Sequence, residues 1–215
     1  MRHLNKIDSI SKQARRLTSQ LLGFARKGKY HEKLIDISVL IKRSAELFLP
    51  NARAELGFRV DPGARKFFVK GDPVQLQQVI LNLLINAKDA MAVKPEGERS
   101  LVVSIGPPES FGIELQPPAE LKNKTASYCC IRIQDNGTGI DPEVMSRIFE
   151  PFFTTKPTGK GTGMGLAMAY GTMISHNGWI QVQSHLGIGT AFNLILPICD
   201  DASASQLQLE TDTRI

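Results

Sequence analysis

Apolar side chains recur at three- and four-residue steps in three parts of the chain, a spacing typical of helices with one buried face. The first stripe predicts a long helix over residues 5–28 that ends at Gly28. The second predicts a helix over residues 38–49, and the third a long helix that begins at Pro73 with Asp72 as its cap. Because a lone helix is only marginally stable, the first stripe predicts a homodimeric or intermolecular bundle.

Between these helices, apolar and polar residues alternate in runs that predict strands. The strands are expected at residues 55–60, 66–70, 100–105, 127–134, 178–184 and 189–196. Residues 107–126 are rich in Pro, Glu and Lys and are expected to form an exposed insertion, while residues 200–215 are expected to be a disordered tail.

The composition excludes several classes of protein. A chain of 215 residues with 42% hydrophobic content can bury a core. No apolar run approaches the ~18 to 20 residues that span a bilayer, so we expect a cytoplasmic chain without direct membrane insertion, whose parent protein could be membrane-anchored. Of three cysteines, Cys129 and Cys130 lie in an apolar stretch without disulfide or metal spacing, which predicts buried reduced thiols.

Positive charge is concentrated in the first third of the chain. Residues 1–70 carry 16 Lys and Arg against 6 Asp and Glu, whereas residues 71–215 carry 10 against 15. Basic segments can bind nucleic acid, but these charges alternate with apolar residues, as on a solvated helix face. Nucleic acid is therefore not an expected partner.

The segment "KPTGKGTGMGLAMAYG", residues 156–171, has glycine at every second position from Gly159 to Gly165. From Leu166 onward, its apolar residues recur at helical spacing. One reading is a loose surface linker. The other is an anion site, because free N–H groups at a helix start bind phosphate when no side chain blocks its approach. The P-loop pattern, the dinucleotide fingerprint and the eukaryotic-type kinase motifs do not fit, so the segment predicts a different phosphate-binding fold.

The helix over residues 72–91 carries a polar line beside its apolar face. Its members are Gln75, Gln78, Asn82, Asn86 and Asp89. A solvated stripe is the ordinary interpretation, but buried amides without partners cost about 1 to 3 kcal/mol each, so a facing ligand or metal explains the two asparagines better.

Two further stretches follow later in the chain. In "IRIQDNGTGI", a strand runs into Asp135, and Gly137 and Gly139 form either an ordinary turn or a surface for a planar ligand. In "RIFEPFFTTK", residues 147–156, the phenylalanines form either a hydrophobic plug or part of a cover, residues 150–162, hinged by glycines and mobile without a ligand.

Taken together, "NLLINAKDAM", "DNGTGI", "FEPFFTTK" and "GKGTGMGL" resemble the N box, first glycine box, F box and second glycine box of the catalytic domain of two-component sensor histidine kinases. The resemblance covers residues 36–197. Residues 5–28 are similar to the second helix of the dimerisation and phosphotransfer hairpin of nitrogen-regulation-like kinases. The resemblance implies the Bergerat, or GHKL, fold: an α/β (α+β) two-layer sandwich of a mixed sheet with helices on one face, here after a long N-terminal helix.

The resemblance also implies an organisation and a reaction. Residues 1–30 would be a partial dimerisation helix, residues 31–199 the ATP-binding catalytic domain and residues 200–215 the tail. With ATP and Mg²⁺, the domain would phosphorylate a histidine on a hairpin helix, for relay to the aspartate of a bacterial response-regulator receiver domain. Residues 5–28 could also join two copies of the chain in a homodimer.

Carried over by residue, the resemblance implies that Asp135 accepts a hydrogen bond from the adenine amino group and that Asn86 ligates Mg²⁺. Asn82 would support the same face, Thr190 would approach the base from the far strand, and Phe149 would lie at the cover. The base pocket would be shaped by Gly137, Gly139 and Ile140. The phosphate lid would comprise Gly159, Lys160, Gly161, Thr162, Gly163, Met164, Gly165 and Leu166.

The chain departs from the family pattern in two ways. Asp89 stands where many members have a basic residue, so the γ-phosphate contact falls to Lys88, Lys156 or Lys160. None of the four histidines lies in an acceptor-box pattern, and His31 imitates only its first two residues. We therefore expect this chain to bind Mg-ATP but not to phosphorylate itself.

Two other members of the fold remain as alternatives, beside a non-enzymatic regulatory protein that binds ATP or DNA. One is an ATP-driven clamp, but clamps place a glutamate general base where this chain has Asn82. The other is a serine kinase, whose product differs from phosphohistidine in acid stability.

Overall fold

The structure, a computed structural model, describes residues 31–51, 56–121, 126–157 and 161–199. The predicted helix over residues 5–28 and the predicted tail over residues 200–215 lie outside the described residues. Within those ranges, no helix is both long and apolar enough to cross a membrane.

Seven strands are described: β1 (Lys33–Asp36), β2 (Gly57–Asp61), β3 (Phe68–Gly71), β4 (Ser100–Gly106), β5 (Tyr128–Asp135), β6 (Trp179–His185) and β7 (Gly189–Pro197). Five of them form a mixed sheet in the order β2-β4-β5-β7-β6, in which β2 and β4 are parallel and the other neighbours antiparallel. The expected mixed sheet is confirmed.

Strand β1 was not predicted; it pairs with β3 in a separate two-stranded sheet. This strand has four residues and runs directly into a helix, so it is too short to show alternation. Its last residue, Asp36, accepts hydrogen bonds from the backbone N–H groups of Ser38 and Val39 and thereby caps that helix.

The described helices are α1 (Ile37–Phe48), α2 (Pro73–Ala90), the single turn α3 (Pro142–Met145) and α4 (Gly165–Ser175). As predicted, α2 begins at Pro73, and the Asp72 carboxylate accepts from the N–H groups of Val74 and Gln75. At this same end of α2, Nε2 of buried His176 accepts the Asp72 N–H at 2.9 Å, which ties the end of α4 to the start of α2.

The core lies between the helices and one face of the sheet, as expected for two layers. The predicted apolar face of α2 is buried through Leu76, Val79, Ile80, Leu83, Leu84 and Ala87. It meets the inward side chains of β5, including Ile131 and Ile133. The other face of the sheet is called the outer face below.

The expectation that residues 107–126 form a wholly exposed insertion is wrong. Leu121 is only 5% exposed and packs with Trp179 and Ile195 on the outer face. The Gln181 amide, also on that face, bonds to the backbone of residues 114 and 116. A few apolar residues suffice to pack this polar segment against the sheet, because the large side chain of Trp179 offers them apolar surface to bury.

The predicted state of the adjacent cysteines is confirmed. Cys129 and Cys130 are buried free thiols, and burial raises the pKa of each to about 12. Cys199 is also free but is partly exposed.

Candidate functional site

One end of the candidate site forms around Asp135, the last residue of β5. Its side chain is only 4% exposed, and its Oδ1 accepts the N–H of Gly137 at 2.7 Å. Burial raises the pKa of Asp135, while hydrogen bonds from backbone groups at Gly137 and Thr190 oppose the rise. The result is a strong hydrogen-bond acceptor in a poorly solvated pocket.

The glycine turn after Asp135 is held against two other elements. The N–H of Thr138 donates to the Ala90 carbonyl at the end of α2, at 3.1 Å, and the Thr138 carbonyl accepts the N–H of Gly187 at 2.7 Å. A Cβ on Gly137 would lie 2.7 Å from the Ala90 carbonyl oxygen, and Gly139 has a φ of 72°. Both glycines are therefore required by backbone packing.

Ser184, which was not among the predicted site residues, completes this end. Its Oγ accepts the N–H of Ile140 at 2.8 Å, donates to the Gly189 carbonyl and lies 2.9 Å from the hydroxyl of Thr190. A lone serine in an alternating strand carries no signal of its own; only the pairing of β6 with β7 brings it beside Thr190. We call Asp135, residues 136–140, Ser184 and Thr190 the closed end.

The polar line of α2 leads away from the closed end. Asn82 accepts from Gln78 Nε2 at 3.0 Å, and its own Nδ2 lies 3.5 Å from the Gly165 carbonyl oxygen at the start of α4. The predicted line is thus a continuous polar surface, and it faces the glycine-rich segment.

A lysine from the cover segment reaches this line. Lys156 Nζ donates to Asn86 Oδ1 at 3.1 Å and forms an ion pair with the Asp89 carboxylate at 2.5 Å. The Lys156 side chain is 32% exposed and that of Asp89 is 47% exposed. Of the three lysines expected as γ-phosphate contacts, Lys156 therefore lies at Asn86 and Asp89. Lys160 lies outside the described residues.

The glycine-rich segment has two different reasons for its bare backbone. Gly163 has a φ of 64°, and a Cβ there would lie 2.6 Å from the Phe152 Cα, so this glycine lets two stretches of backbone pack together. A Cβ on Gly165 would meet no atom within 4 Å. Helix α4 thus begins at open space, and no side chain caps its first N–H groups. Gly159 lies outside the described residues.

The phenylalanine segment is only partly packed. Phe149 lies against Tyr170, with ring centroids 5.3 Å apart. Phe152 is 68% exposed, adopts a φ of 67° and donates its N–H to the Gly163 carbonyl at 3.0 Å. We call Asn82, Asn86, Asp89, residues 149–157 and residues 161–166 the open end.

The two ends suit one elongated ligand. The closed end presents a carboxylate that accepts a donor group, and the open end presents a helix start that favours an anion. Between them, Asn86 and Asp89 present oxygens that already hold a cation, the ammonium of Lys156. Such oxygens are the ligands that Mg²⁺ prefers, so the residues present fit this metal.

Residues 71–199 match the family model of histidine kinase-, DNA gyrase B- and HSP90-like ATPases. The match covers more than half of the chain, which therefore belongs to this family. Within it, the chain is the ATP-binding catalytic part of a sensor histidine kinase, as the following relatives indicate.

Sensor kinase CckA of Brucella abortus (strain 2308) is 35% identical over 191 residues, which are 89% of this chain and 20% of that protein. Sensor protein FixL of Bradyrhizobium diazoefficiens is 32% identical over 201 residues, which are 91% of this chain and 35% of that protein. The chain thus spans about a fifth to a third of these relatives.

Solved structures agree with the fold. The mycobacterial sensor histidine kinase MprB aligns with a TM-score of 0.59 at 26% identity, over 78% of this chain and 98% of that one. The catalytic domain of histidine kinase ThkA aligns with a TM-score of 0.60 at 22% identity, over 78% and 97%. The predicted fold class is confirmed.

Proposed function

We propose that this chain binds Mg-ATP along α2 and transfers the γ-phosphoryl group to a histidine on a separate hairpin helix. The observation that carries the proposal is the arrangement of three groups from three elements: a buried acceptor, Asp135, at the end of β5, a cation-holding amide, Asn86, on α2, and an open helix start at Gly165 of α4. The family assignment supports ATP as the substrate.

In this proposal the closed end binds adenine. The Asp135 carboxylate accepts a hydrogen bond from the exocyclic amino group, and Gly137, Gly139 and Ile140 form the wall beside the base. The Thr190 hydroxyl, held by Ser184, offers a second polar contact. Because the turn is fixed by backbone bonds to Ala90 and Gly187, the pocket loses little entropy when the base enters.

The open end binds the metal and the phosphates. Asn86 would hold Mg²⁺ with its side-chain amide oxygen, and Asn82 would support the same face. When bound, Mg²⁺ neutralises charge on the phosphate oxygens. Lys156 then leaves Asn86 for the phosphates, with Lys160 as a second phosphate contact. The phosphate cradle consists of Gly159, Gly161, Thr162, Gly163, Met164, Gly165 and Leu166, with Phe149 under the cover.

This site favours transfer to a protein over hydrolysis. Asn82, one turn before Asn86, is a neutral amide, which cannot take a proton from water as a glutamate does. The site would hold the triphosphate with its γ-phosphoryl group exposed and has no general base at Asn82. The reaction therefore requires a nucleophile from outside the site that approaches the γ-phosphorus in line.

The acceptor histidine comes from another helix. Of the histidines that the structure describes, His176 is buried, while His31 and His185 are exposed but lie outside helices. Residues 1–30 supply the complementary, nitrogen-regulation-like helix and the homodimer contact in this proposal, and residues 31–199 form the catalytic domain. The partner downstream is a response-regulator receiver domain.

Transfer in trans tests the proposal. The chain is incubated with γ-labelled Mg-ATP, alone and with a protein that carries a complete histidine hairpin. We expect little label on the chain alone and label on the hairpin that is lost in acid and stable in alkali. Acid-stable label would indicate a serine kinase. Acid-labile label on the chain alone, abolished by His31→Ala, would contradict the proposed acceptor.

A further inference from the structure

A polar groove lies on the outer face of the sheet, opposite the candidate nucleotide site. It has a volume of about 340 Å³ and is lined by Arg59, Ser100, Ser104, Phe111, Arg132 and Gln134, among others. The β-ladder explains the cluster: Ser104 is paired with Arg132, and Val102 lies between Arg59 and Gln134. We call this cluster the outer groove.

The groove carries two positive charges that no described carboxylate pairs with. Neither Arg59 nor Arg132 forms an ion pair within the described ranges. Asp135 borders the groove, but strand alternation turns its side chain to the helix face, where Gly137 binds it. Asp61, the next carboxylate along β2, accepts the N–H of Gly63.

Arg132 is held in place by neutral groups. Its guanidinium donates to the amide oxygens of Gln134 at 3.3 Å, Gln183 at 2.9 Å and Asn193 at 3.4 Å, and it lies 5.9 Å from the centroid of Phe111. These contacts fix the side chain without neutralising its charge. Such a preorganised guanidinium binds phosphate or carboxylate at little entropic cost.

The side-chain amide of Asn193 is a second, independent indication that the fold holds the Arg132 guanidinium in one place. The residue is fully buried, and its Nδ2 has no hydrogen-bond partner in the described part of the chain. Reversing the amide would set two donor groups, the Asn193 NH₂ and the Arg132 N–H, against each other. The fold therefore leaves one buried donor unsatisfied so that an oxygen faces the guanidinium, and such groups call for an explanation.

We propose that the outer groove is a binding site for a small molecule that carries a phosphate group. Arg59 and Arg132 bind the phosphate oxygens, the hydroxyls of Ser100 and Ser104 add donors, and Phe111 forms a wall for the organic part. The volume lies in the range of small-molecule pockets. The site is separate from the nucleotide site, since it lies on the other face of β5.

Residue-resolved titration with inorganic pyrophosphate tests the proposal. Amide shifts of the nitrogen-15-labelled chain are followed with ADP present throughout, so that signals at residues 161–166 report the nucleotide site separately. We expect pyrophosphate to shift the amides of Ser104 and Gln134. Citrate, a carboxylate probe of similar charge, is expected to bind more weakly.

Two groove variants and one control complete the design. Arg132→Gln and Arg59→Gln are each expected to weaken pyrophosphate binding about tenfold. Arg43→Gln removes the same charge from the exposed surface of α1 and is expected to have no effect. Because Arg59 is exposed, its variant tests the site even if Arg132→Gln unfolds. Shifts confined to residues 161–166, equal binding of citrate, or equal losses in all three variants would overturn the proposal, whether or not ADP binds.

Discussion

The closed end and the open end of the candidate nucleotide site are built by different kinds of contact. At the closed end, Thr138 bonds backbone to backbone with both Ala90 and Gly187, and Asp135 is almost fully buried. At the open end, the main contact is between the side chains of Lys156, Asn86 and Asp89, and those of Lys156 and Asp89 are about one third and one half exposed. Folding alone completes the first, whereas the second leaves its polar groups available to a ligand.

The difference has a cost in stability at the closed end. Because burial raises the pKa of Asp135 above its ordinary value, its carboxylate binds a proton more tightly in the folded chain than in the unfolded chain. Stability therefore falls as the pH rises through the raised pKa, and at neutral pH the folded state carries an unfavourable buried carboxylate. A residue that destabilises the fold in this way is typical of a binding site.

Asp135→Asn is the variant expected to have the largest effect. Loss of the charged acceptor should weaken ATP and ADP binding alike, by roughly 10- to 100-fold, the range for a charge-assisted hydrogen bond. Stability at neutral pH should be unchanged or higher, because the buried charge is gone. Calorimetric titration and thermal melting check both results, with Glu143→Gln on the exposed surface as the matched control.

The same variant gives a prediction for pH. Wild-type affinity should fall on acidification through the raised pKa of Asp135, since protonation turns the charged acceptor into a weaker, neutral one, whereas Asp135→Asn should not show this fall. Unchanged affinity in a folded variant would remove Asp135 from its proposed role and leave the closed end as a purely structural turn.

A pair of glycine variants compares the two ends directly. Gly137→Ala should destabilise the fold by about 1 to 3 kcal/mol, because its Cβ would press on the Ala90 carbonyl. Gly165→Ala meets open space in the first turn of α4 and should leave stability equal or up to about 1 kcal/mol higher, while weakening triphosphate binding. Urea unfolding and nucleotide titration measure both. Equal destabilisation in the two variants would erase the contrast between the ends.

The metal position gives a smaller effect at the open end. Asn86→Ala should weaken ATP binding about tenfold with Mg²⁺ and much less without it, because the lost oxygen is the one proposed to hold the metal and has no proposed contact with the base. Calorimetry with and without a chelator separates the two cases. Val74→Ala, at an exposed position of α2 outside the candidate site, is the control for a general change in this helix. Equal losses with and without Mg²⁺ would contradict the assignment of Asn86.

Much of this arrangement was predictable from sequence, for identifiable reasons. The caps at Asp72, the apolar face of α2 and the turn at Gly139 follow from local backbone physics, which acts over a few residues. Ser184, the short strand β1 and the packed insertion depend on partners far along the chain, such as Thr190 and Trp179. Local pattern carries no information about such partners, and this is also why the outer groove has no motif.

Lys156→Ala is expected to have the smallest effect on stability. Its ion pair with Asp89 is short, but both side chains are substantially exposed, and pairs of this kind contribute at most about 1 kcal/mol. The exposed pair also has to break if Mg²⁺ is to reach Asn86, so a weak contact is what the proposed exchange of one cation for another requires. We therefore expect a change in the free energy of unfolding below about 1 kcal/mol that shrinks further in high salt. Arg147→Ala, which removes the exposed Arg147–Glu150 pair nearby, is the control of similar size. A loss above about 2 kcal/mol in urea unfolding would mean that Lys156 stabilises the open end as firmly as backbone bonds stabilise the closed end, and the proposed difference between the two would no longer hold.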